Sequence, residues 1–420
     1  MTRKLSFNEI THPNKSNYSF LNDEAFMIKI FTAMATNTNV QHTLVKDHNR
    51  YWWWISAIYP ATPIISIICF LILDNEWLLA LPLFALGFAV PVMDFIVGTN
   101  QDNPSDLLSK KMNKDSYYNN ILCAAIPIHF LAVIAPAWLI ATHDLSNATY
   151  IALSIAVGLY SGLSINTAHE LGHKTNKFER LLSRITLSVT GYGHFCIDHN
   201  SGHHQHVATP DDPTSARMGE SLYRFALREI PGVFMRGWRL EKNRLTKRKL
   251  PIWHYHNLIL QSYAMTLVWQ GLVVYTLGFE MLPFLLIQNS IAWLQLTTTN
   301  SIEHYGLLRK KLINGRYERC APHHSWNSNH LVSNFLLFHL QRHSDHHTNP
   351  SRPYQTLRSY KSLPEMPSGY LGMYLLAYVP PLWFLIMDKR LLEIEHIQGD
   401  LTKVNIDPKN VEKYYRNIDS

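Results

Sequence analysis

Nine histidines occur in four short groups, and each group lies at or just beyond the end of a long apolar stretch. Histidine is expensive to bury and is a common metal ligand. In three groups the spacing is i, i+3 or i, i+4, which predicts that the rings share one helix face. The nine are His169, His173, His199, His203, His204, His304, His343, His346 and His347. An isolated histidine is usually an ordinary core or surface residue, but nine in this pattern indicate two metal ions with four or five ligands each.

The residue types narrow the metal only in part. Imidazole nitrogen binds iron, copper, zinc and nickel, so the ligands alone leave the metal open. A structural zinc site usually includes cysteine, and iron–sulfur clusters are held by it. The four cysteines form no C-x-x-C pair, which argues against both kinds of site within this chain; they are Cys69, Cys123, Cys196 and Cys320.

Six apolar runs must position the histidines. Each is close to the ~20 residues that an α-helix needs to cross the hydrocarbon core of a bilayer. The runs cover about 53–73, 77–97, 118–142, 149–169, 258–277 and 281–299. This pattern predicts an all-α integral membrane protein, in which a six-transmembrane-helix bundle carries a cytoplasmic helical cap rich in histidine.

The segments outside the bundle are polar or short. We predict that residues 1–48 form a polar cytoplasmic N-terminal extension with one amphipathic helix. Residues 49–390 are predicted to form the membrane domain, and residues 391–420 a charged C-terminal tail. A seventh apolar run, 370–387, contains Pro380 and Pro381 and predicts an interfacial or re-entrant helix, with a true span as the alternative. The polar N-terminus lacks the apolar region that a cleaved signal peptide requires.

Basic residues indicate the orientation, because cytoplasmic loops of membrane proteins are rich in Lys and Arg. Such residues lie before the first run, between the second and third (Lys110, Lys111 and Lys114), between the fourth and fifth, and after the sixth. The loops at 74–76, 143–147 and 278–280 contain none. We therefore expect a bacterial inner-membrane protein with both termini and all four histidine groups in the cytoplasm. The net charge of +7 then favours lipid headgroups or an acidic protein as partners over nucleic acid.

The residues around the histidines resemble those of a known family. The groups His-x-x-x-His, His-x-x-x-His-His and His-x-x-His-His are similar to the histidine boxes of the membrane di-iron superfamily, which contains fatty acyl desaturases and hydroxylases. From about residue 51 to about residue 358 the chain resembles bacterial AlkB-type alkane 1-monooxygenases more specifically. The motifs are His169-Glu-Leu-Gly-His-Lys174, Asp198-His-Asn-Ser-Gly-His-His204, Asn300-Ser-Ile-Glu-His-Tyr-Gly-Leu307 and Leu340-Gln-Arg-His-Ser-Asp-His-His347, with the flanks Ala208-Thr-Pro-Asp-Asp-Pro213 and His324-Ser-Trp-Asn-Ser-Asn-His330.

Two positions depart from the family pattern. Asp198 stands where the family usually has Glu, and Ser301 stands where it usually has Tyr. Both departures leave the histidines unchanged. His206, beside the second group, is not part of the motif, and we expect it at the surface or behind the ligands.

The resemblance implies that the nine histidines hold two iron ions and form the catalytic centre. It implies hydroxylation of the terminal methyl group of medium- to long-chain n-alkanes to 1-alkanols, with O2 and two electrons. One alternative is a related membrane di-iron oxygenase or desaturase acting on xylene methyl groups or acyl chains, which the Glu-His-Tyr-Gly-Leu motif argues against. The other is a metal transporter, whose ligands would lie near the bilayer midplane.

Carboxylates beside the histidines are candidates for the hydrogen bond that a metal-bound imidazole donates through its second nitrogen. Helix capping and surface ion pairing are the alternative roles for these residues, which are Glu170, Asp198, Glu303 and Asp345.

An alkane has no polar group, so its site must be an apolar tunnel between membrane helices. Lipid-facing or packing roles are the alternative for the candidate tunnel residues, which are Leu83, Leu86, Phe88, Ile165 and Trp293. Leu86 and Gly87 are small enough to leave a deep tunnel. Asp94, near the cytoplasmic end of the second run, is a rare intramembrane carboxylate, and reaching towards the helix end is its simpler role.

Electrons must come from another protein, because the sequence contains no flavin, haem or nicotinamide motif. The resemblance implies a separate rubredoxin, which an NADH-dependent reductase reduces. Rubredoxins are acidic, so a basic surface would attract one. Contact with anionic lipid is the alternative role for the two basic sets, which are Arg236, Arg239, Arg244, Lys247, Arg248 and Lys249, and Arg309, Lys310 and Lys311.

Overall fold

The computed structural model describes residues 46–416, and nearly all of the predicted N-terminal extension, with its amphipathic helix, lies outside them. The described residues are helical, and their strand pairing is limited to isolated bridges. The helices are α1 Trp54–Leu73, α2 Glu76–Val97, α3 Asp106–Lys114, α4 Ser116–Thr142, α5 Asn147–Gly172, α6 Lys177–Leu187, α7 Phe195–Asp198, α8 Leu222–Lys247, α9 Leu258–Leu277, α10 Met281–His304, α11 Leu331–Leu336, α12 His343–Thr348, α13 Tyr370–Ala377, α14 Pro380–Leu392 and α15 Val411–Arg416.

Among the described residues, five helices are long and apolar enough to cross a membrane, namely α1, α2, α4, α5 and α9. The predicted sixth span also folds as a helix, α10, but it is not apolar enough to belong to this group. The physical reason is a series of polar residues along the helix, among them Gln288, Gln295, Thr297 and Asn300, and all four are buried. The count of six spans stays a prediction.

Helix α5 lies at the centre of the bundle, where it packs against α4, α6 and α10. Two glycines let α5 and α10 approach closely. A Cβ atom on Gly158 would lie 2.6 Å from the Cβ of Ile291, and one on Gly162 would lie 2.6 Å from the Oε1 of Gln295. This close packing aligns the C-terminal ends of both helices, and both ends carry histidines of the first and third groups.

Helix α2 is irregular. It begins as a 3-10 helix over Glu76–Ala80 and contains a π-helical turn over Ala85–Ala89. Proline follows each break, at Pro82 and Pro91, where a missing N–H costs least. Turns of the π type occur often near functional sites, and this one buries Leu86 against the bundle.

The bundle has two distinct ends. At one end the loops without basic residues meet: the Ser146 hydroxyl donates to Glu76 Oε2 at 2.9 Å, and the Tyr150 hydroxyl donates to the Glu280 carbonyl at 3.3 Å. At the other end Asp94 accepts a hydrogen bond from the Ser333 N–H at 3.0 Å, which ties α2 to the polar cap. All four histidine groups lie at this second end. The predicted architecture of an all-helical bundle with a histidine-rich cap is confirmed.

The seventh apolar run forms two short helices, α13 and α14, with a break at Val379 before Pro380. With 8 and 13 residues, neither is long enough to cross a bilayer alone. Buried aromatic residues hold them against α10, and the ring of Trp383 lies 5.2 Å from that of Tyr305.

The C-terminal tail is charged, but its described part is built into the cap. Leu401, Val404 and Asp407 are buried. The Met218 N–H donates to the Asn405 carbonyl at 2.8 Å, and Arg224 pairs with Asp407 at 2.6 Å. The tail therefore contributes to the fold around the cap instead of lying on its surface.

Candidate metal centre

Four elements place the histidines at the cap end of the bundle. The last turn of α5 carries His169, and His173 follows directly after it. Helix α10 ends on His304. The other six lie on two short helical segments of the cap, one that begins with α7 and continues to His206, and one formed by α12. Seven of the nine are buried, and His173 and His204 are partly buried.

The nine rings form two sets of four with one ring between them. In each set the four donor nitrogens lie within 4.8 Å of one another. The first tetrad is His169, His173, His199 and His346. The second tetrad is His203, His304, His343 and His347.

Nitrogen distances show how tightly the tetrads converge. In the first tetrad, Nε2 of His169 lies 3.0 Å from Nε2 of His346. In the second, Nε2 of His343 lies 3.2 Å from that of His304 and 2.9 Å from that of His347. His204 lies beside the first tetrad, with its Nε2 3.0 Å from His199 Nε2 and 3.1 Å from His346 Nε2. The geometry thus divides the nine as four, four and one, which the sequence left open.

The spacing rule predicts that His199 and His203 share a helix face, but they belong to different tetrads. The reason is local: the chain from His199 to His203 is a π-helical turn. A π turn holds one extra residue, so it rotates His203 away from the position that an α-helix would give it. The fourth group also divides, with His346 in the first tetrad and His343 and His347 in the second.

The donor set fits a metal. Burial lowers the pKa of His173 to about 4, and burial together with neighbouring histidines holds the pKa of His199 and His346 far below its usual value. These three rings are therefore neutral, as metal ligation requires. The Nε2 of His173 is buried without a hydrogen-bond partner among the described residues, and an unpartnered buried nitrogen is costly unless it binds something.

A carboxylate that the sequence analysis did not single out supports His203. Asp212 Oδ2 lies 2.9 Å from His203 Nδ1, and Asp212 Oδ1 accepts a hydrogen bond from Arg236 at 2.7 Å. Burial raises the pKa of Asp212, but His203 and Arg236 outweigh it and leave that pKa well below its usual range. Asp198, which the sequence analysis did name, pairs with the same arginine at 2.5 and 2.7 Å.

Two other predicted carboxylates face histidine rings. Glu303 Oε2 lies 3.2 Å from His343 Nε2, and its Oε1 accepts a hydrogen bond from the Tyr370 hydroxyl at 2.9 Å. Glu170 Oε1 lies 3.6 Å from His169 Nδ1, which is long for a hydrogen bond.

Asp345 has a different set of partners. It pairs with Arg352 at 2.6 Å and accepts hydrogen bonds from the Tyr360 hydroxyl and, at 2.8 Å, from the Arg358 N–H. These contacts tie the segment that follows α12 to that helix. Asp345 therefore stabilises the position of α12, which carries three of the nine histidines.

An apolar cavity ends on the histidines. Its walls come from α5, from α10 and from the cap, and its lining residues are Gly162, Leu163, Ile165, Asn166, His169, Phe195, His199, Gln295, Leu296, Thr299, Asn300, Glu303, Leu337, Leu340, His343 and Tyr374. Members of both tetrads therefore share one cavity whose far walls are mostly hydrocarbon.

The predicted tunnel residues differ in position. Ile165 lines the cavity, and Leu86 packs in the same apolar cluster as the lining residue Leu163. Trp293 does not line the cavity but packs against a cluster that contains the lining residues Ile165 and Phe195, and its indole N–H donates to the Thr190 carbonyl at 2.7 Å. Phe88 is 55% exposed on the outer face of α2, and Leu83 is half-buried.

Each of the two predicted basic sets contains both buried and exposed residues. Arg236 is buried, as described above, and Arg309 is buried against the carbonyls of Gln205 and Glu318. The exposed members are Arg239, Lys247, Arg248, Lys249, Lys310 and Lys311, while Arg244 is half-buried and paired with Glu241. His206 is exposed, which agrees with the expected surface position.

Comparison with protein-family models identifies the broad class to which the chain belongs. Residues 145–377, which contain all nine histidines, match the fatty acid desaturase family model. With its long apolar helices and its two histidine tetrads, the chain is a membrane oxidoreductase of this desaturase-like class.

Curated relatives narrow the class. Alkane 1-monooxygenase 1 of Alcanivorax borkumensis is 45% identical over 88% of this chain and 91% of its own. Alkane 1-monooxygenases of Ectopseudomonas oleovorans and Pseudomonas putida are 45% and 44% identical, each over 88% of this chain and 92% of their own. The chain belongs to the alkane 1-monooxygenase family. The hydroxylase component of a xylene/toluene monooxygenase from Pseudomonas putida is more distant, at 26% identity over 54% of this chain.

Proposed function

We propose that the chain hydroxylates the terminal methyl group of medium- to long-chain n-alkanes to 1-alkanols, consuming one O2, two electrons and two protons and releasing one water. The observation that carries this proposal is the apolar cavity that ends on histidines of both tetrads, because a substrate without polar groups needs hydrocarbon walls beside a metal. The alkane 1-monooxygenase relatives support the same substrate class.

The nine histidines are proposed to hold two iron ions, one in each tetrad, with His204 available to the first. Iron, when bound, supplies the activation of O2, which amino-acid side chains cannot provide. The protein positions the ligands: Asp212 orients the His203 ring, and Glu303 faces His343 from the cavity wall. We propose no flavin, haem or nicotinamide for this chain.

The cavity is proposed to orient the alkane and exclude water. Leu163, Ile165, Phe195 and Leu296 can contact a hydrocarbon chain along its length. The methyl end would then point towards His169, His199 and His343 of the two tetrads. Binding by contact area alone selects for length and width, because a chain without polar atoms offers no hydrogen bond.

Electrons are proposed to come from a rubredoxin that an NADH-dependent reductase keeps reduced. The exposed basic residues at the end of α8 and directly after it, Lys247, Arg248 and Lys249, offer a surface for an acidic partner. Charge complementarity of this kind weakens as salt screens it, so turnover should fall steeply with ionic strength. The proposed location is the bacterial inner membrane, with the histidine cap and both termini in the cytoplasm.

Reconstitution tests this function. The purified chain, loaded with ferrous iron and supplied with rubredoxin, reductase, NADH and O2, should convert n-alkanes to 1-alkanols and contain two irons. A His304→Ala variant should lose iron and activity, whereas His206→Ala should keep both. Methyl hydroxylation of xylene without alkane turnover would favour the xylene alternative, and desaturated acyl chains would favour a desaturase.

A further inference from the structure

A second cluster of metal-ligating side chains lies in the cap outside the nine-histidine centre. Glu318, His323 and His324 each offer one ligand atom, and these atoms lie within 4.8 Å of one another. The ring of His396 joins them, with its centroid 4.5 Å from that of His323. None of the four belongs to either tetrad.

The chain brings these residues together from two distant segments. A hairpin closed by the Lys311–Tyr317 bridge returns Glu318 to Lys310, whose N–H donates to Glu318 Oε1 at 2.7 Å. A 3-10 turn, Pro322–His324, then presents two adjacent histidines. His396 arrives separately, in the turns after α14. The cluster therefore joins the hairpin to the C-terminal region.

One hydrogen bond of His324 and its distance from Glu318 assign it a supporting role. Its Nδ1 accepts the Ala321 N–H at 2.9 Å, so in the neutral ring the proton lies on Nε2. That Nε2 lies 3.4 Å from Glu318 Oε1, where the proton can orient the carboxylate. A ring with both nitrogens occupied cannot also bind a cation, whereas a carboxylate keeps lone pairs for one.

His396 supplies the independent observation. Its Nε2 is buried and has no hydrogen-bond partner among the described residues. Burial lowers the pKa of His396 to about 4 and also lowers the pKa of His323, so both rings are neutral and keep a lone pair at neutral pH. The alternative is a stack of rings beside an acidic side chain, but such a stack leaves the buried nitrogen unsatisfied, which is costly.

We propose that Glu318, His323 and His396 form a second metal site, which binds one divalent d-block cation and uses His324 to orient the carboxylate. Two imidazoles and one carboxylate suit zinc, and such three-ligand sites leave a fourth position for water. Glu318 is about one-third exposed, with 35% of its side chain accessible, so a cation can enter from solvent. A bound ion would cross-link two segments that are far apart in sequence and lie behind α12, where the Ser344 hydroxyl contacts the Pro322 carbonyl.

Zinc binding to the full-length, iron-loaded and tag-free protein tests the site. Equilibrium dialysis with elemental analysis should find one zinc per chain that is lost in His323→Ala and in His396→Ala, with iron content unchanged. His324→Ala should keep the zinc but weaken its binding about 10- to 100-fold, as expected for loss of an orienting partner. His254→Ala and His256→Ala are matched controls, because these rings also stack, at 4.9 Å, and lie in another part of the cap.

Thermal unfolding gives a second readout. Zinc should raise the melting temperature of the parent protein and of both control variants, but not of His323→Ala or His396→Ala, since a ligand stabilises only the state that binds it. Equal zinc content in the parent protein and the His323→Ala and His396→Ala variants would overturn the proposal. Absence of zinc from an iron-loaded parent protein would overturn it equally.

Discussion

A single arginine connects two carboxylates to the metal centre. Arg236 pairs with Asp198 and Asp212, and Asp212 in turn contacts His203 of the second tetrad. A buried arginine is stabilised only when its hydrogen bonds are satisfied, and two carboxylates satisfy most of them. The position where this chain has Asp in place of the usual Glu, Asp198, therefore acts on the centre through Arg236 and Asp212.

Replacing Asp212 with Asn should weaken iron binding about 10- to 100-fold, because the His203 ring loses a charged partner that orients it and raises its basicity. Iron retention during titration with a chelator measures the effect. Asp211→Asn is the control, since Asp211 is the exposed neighbour in the same turn. Equal iron retention in the two variants would show that Asp212 serves only the fold.

Replacing Leu86 with Trp should shorten the longest alkane that is accepted. Leu86 is 6% exposed and belongs to the same apolar cluster as the cavity residue Leu163, so we expect a larger ring to displace this packing towards the cavity. Gas chromatography of products from alkanes of graded length measures the change. Phe88→Trp, on the outer face of the same turn, should leave the length profile as it is; an unchanged profile in Leu86→Trp as well would contradict the assignment.

Residue types and spacings identified the nine histidines as candidate metal ligands. They did not reveal how the nine divide into two tetrads or which side chains orient the rings. The i, i+4 rule assumes an α-helix, and the π turn between His199 and His203 breaks that assumption. Asp212 lies inside a motif that was recognised, yet its contact with His203 depends on how the intervening turn closes. Arg236 looks like one member of a basic surface, because a sequence does not reveal which charges are buried.

At the scale of elements, α8 and α10 are held together by a buried acid. Glu229 on α8 is fully buried, and it accepts hydrogen bonds from Thr297 at 2.7 Å and from Asn300 at 3.0 Å. Burial raises the pKa of Glu229 to about 7. The polar residues that make α10 less apolar than the other long helices therefore form hydrogen bonds with the cap.

This carboxyl makes stability depend on pH. Its folded-state pKa lies above the unfolded value, so the protonated form favours the folded state at low pH, and that contribution is lost as the pH rises from about 4.5 through about 7. Glu229→Gln should therefore lose less thermal stability than the parent protein between pH 5.5 and 8, measured as melting temperature in detergent. The exposed Glu393→Gln should follow the parent, and parallel curves for Glu229→Gln would refute the role.

At the scale of the whole molecule, the two ends of the bundle differ in chemistry. At one end, the loops around Glu76, Ser146 and Glu280 contain no Lys or Arg. The other end carries the histidines and the basic segments. The alternation of helices between these ends could be read from apolar runs and charge. The contribution of the C-terminal tail to the cap could not, because charged residues near Asp407 resemble a solvated tail.

A reporter fused after Asn147 should therefore be active only as a periplasmic enzyme, and one fused within the 247–249 segment should be active only in the cytoplasm. The reason is the excess of Lys and Arg on the histidine side. Paired alkaline phosphatase and fluorescent-protein fusions measure both positions. A cytoplasmic signal after Asn147 would reverse the proposed topology.

The distribution of the two tetrads along the chain has a consequence for biogenesis. The first tetrad is complete only after residue 346 has been synthesised, and the second only after residue 347. By then the five long apolar helices of the described residues have been synthesised, and so has α10. A nascent chain therefore has to insert with half-formed sites, and metal can fill both tetrads only at the last stage of its maturation.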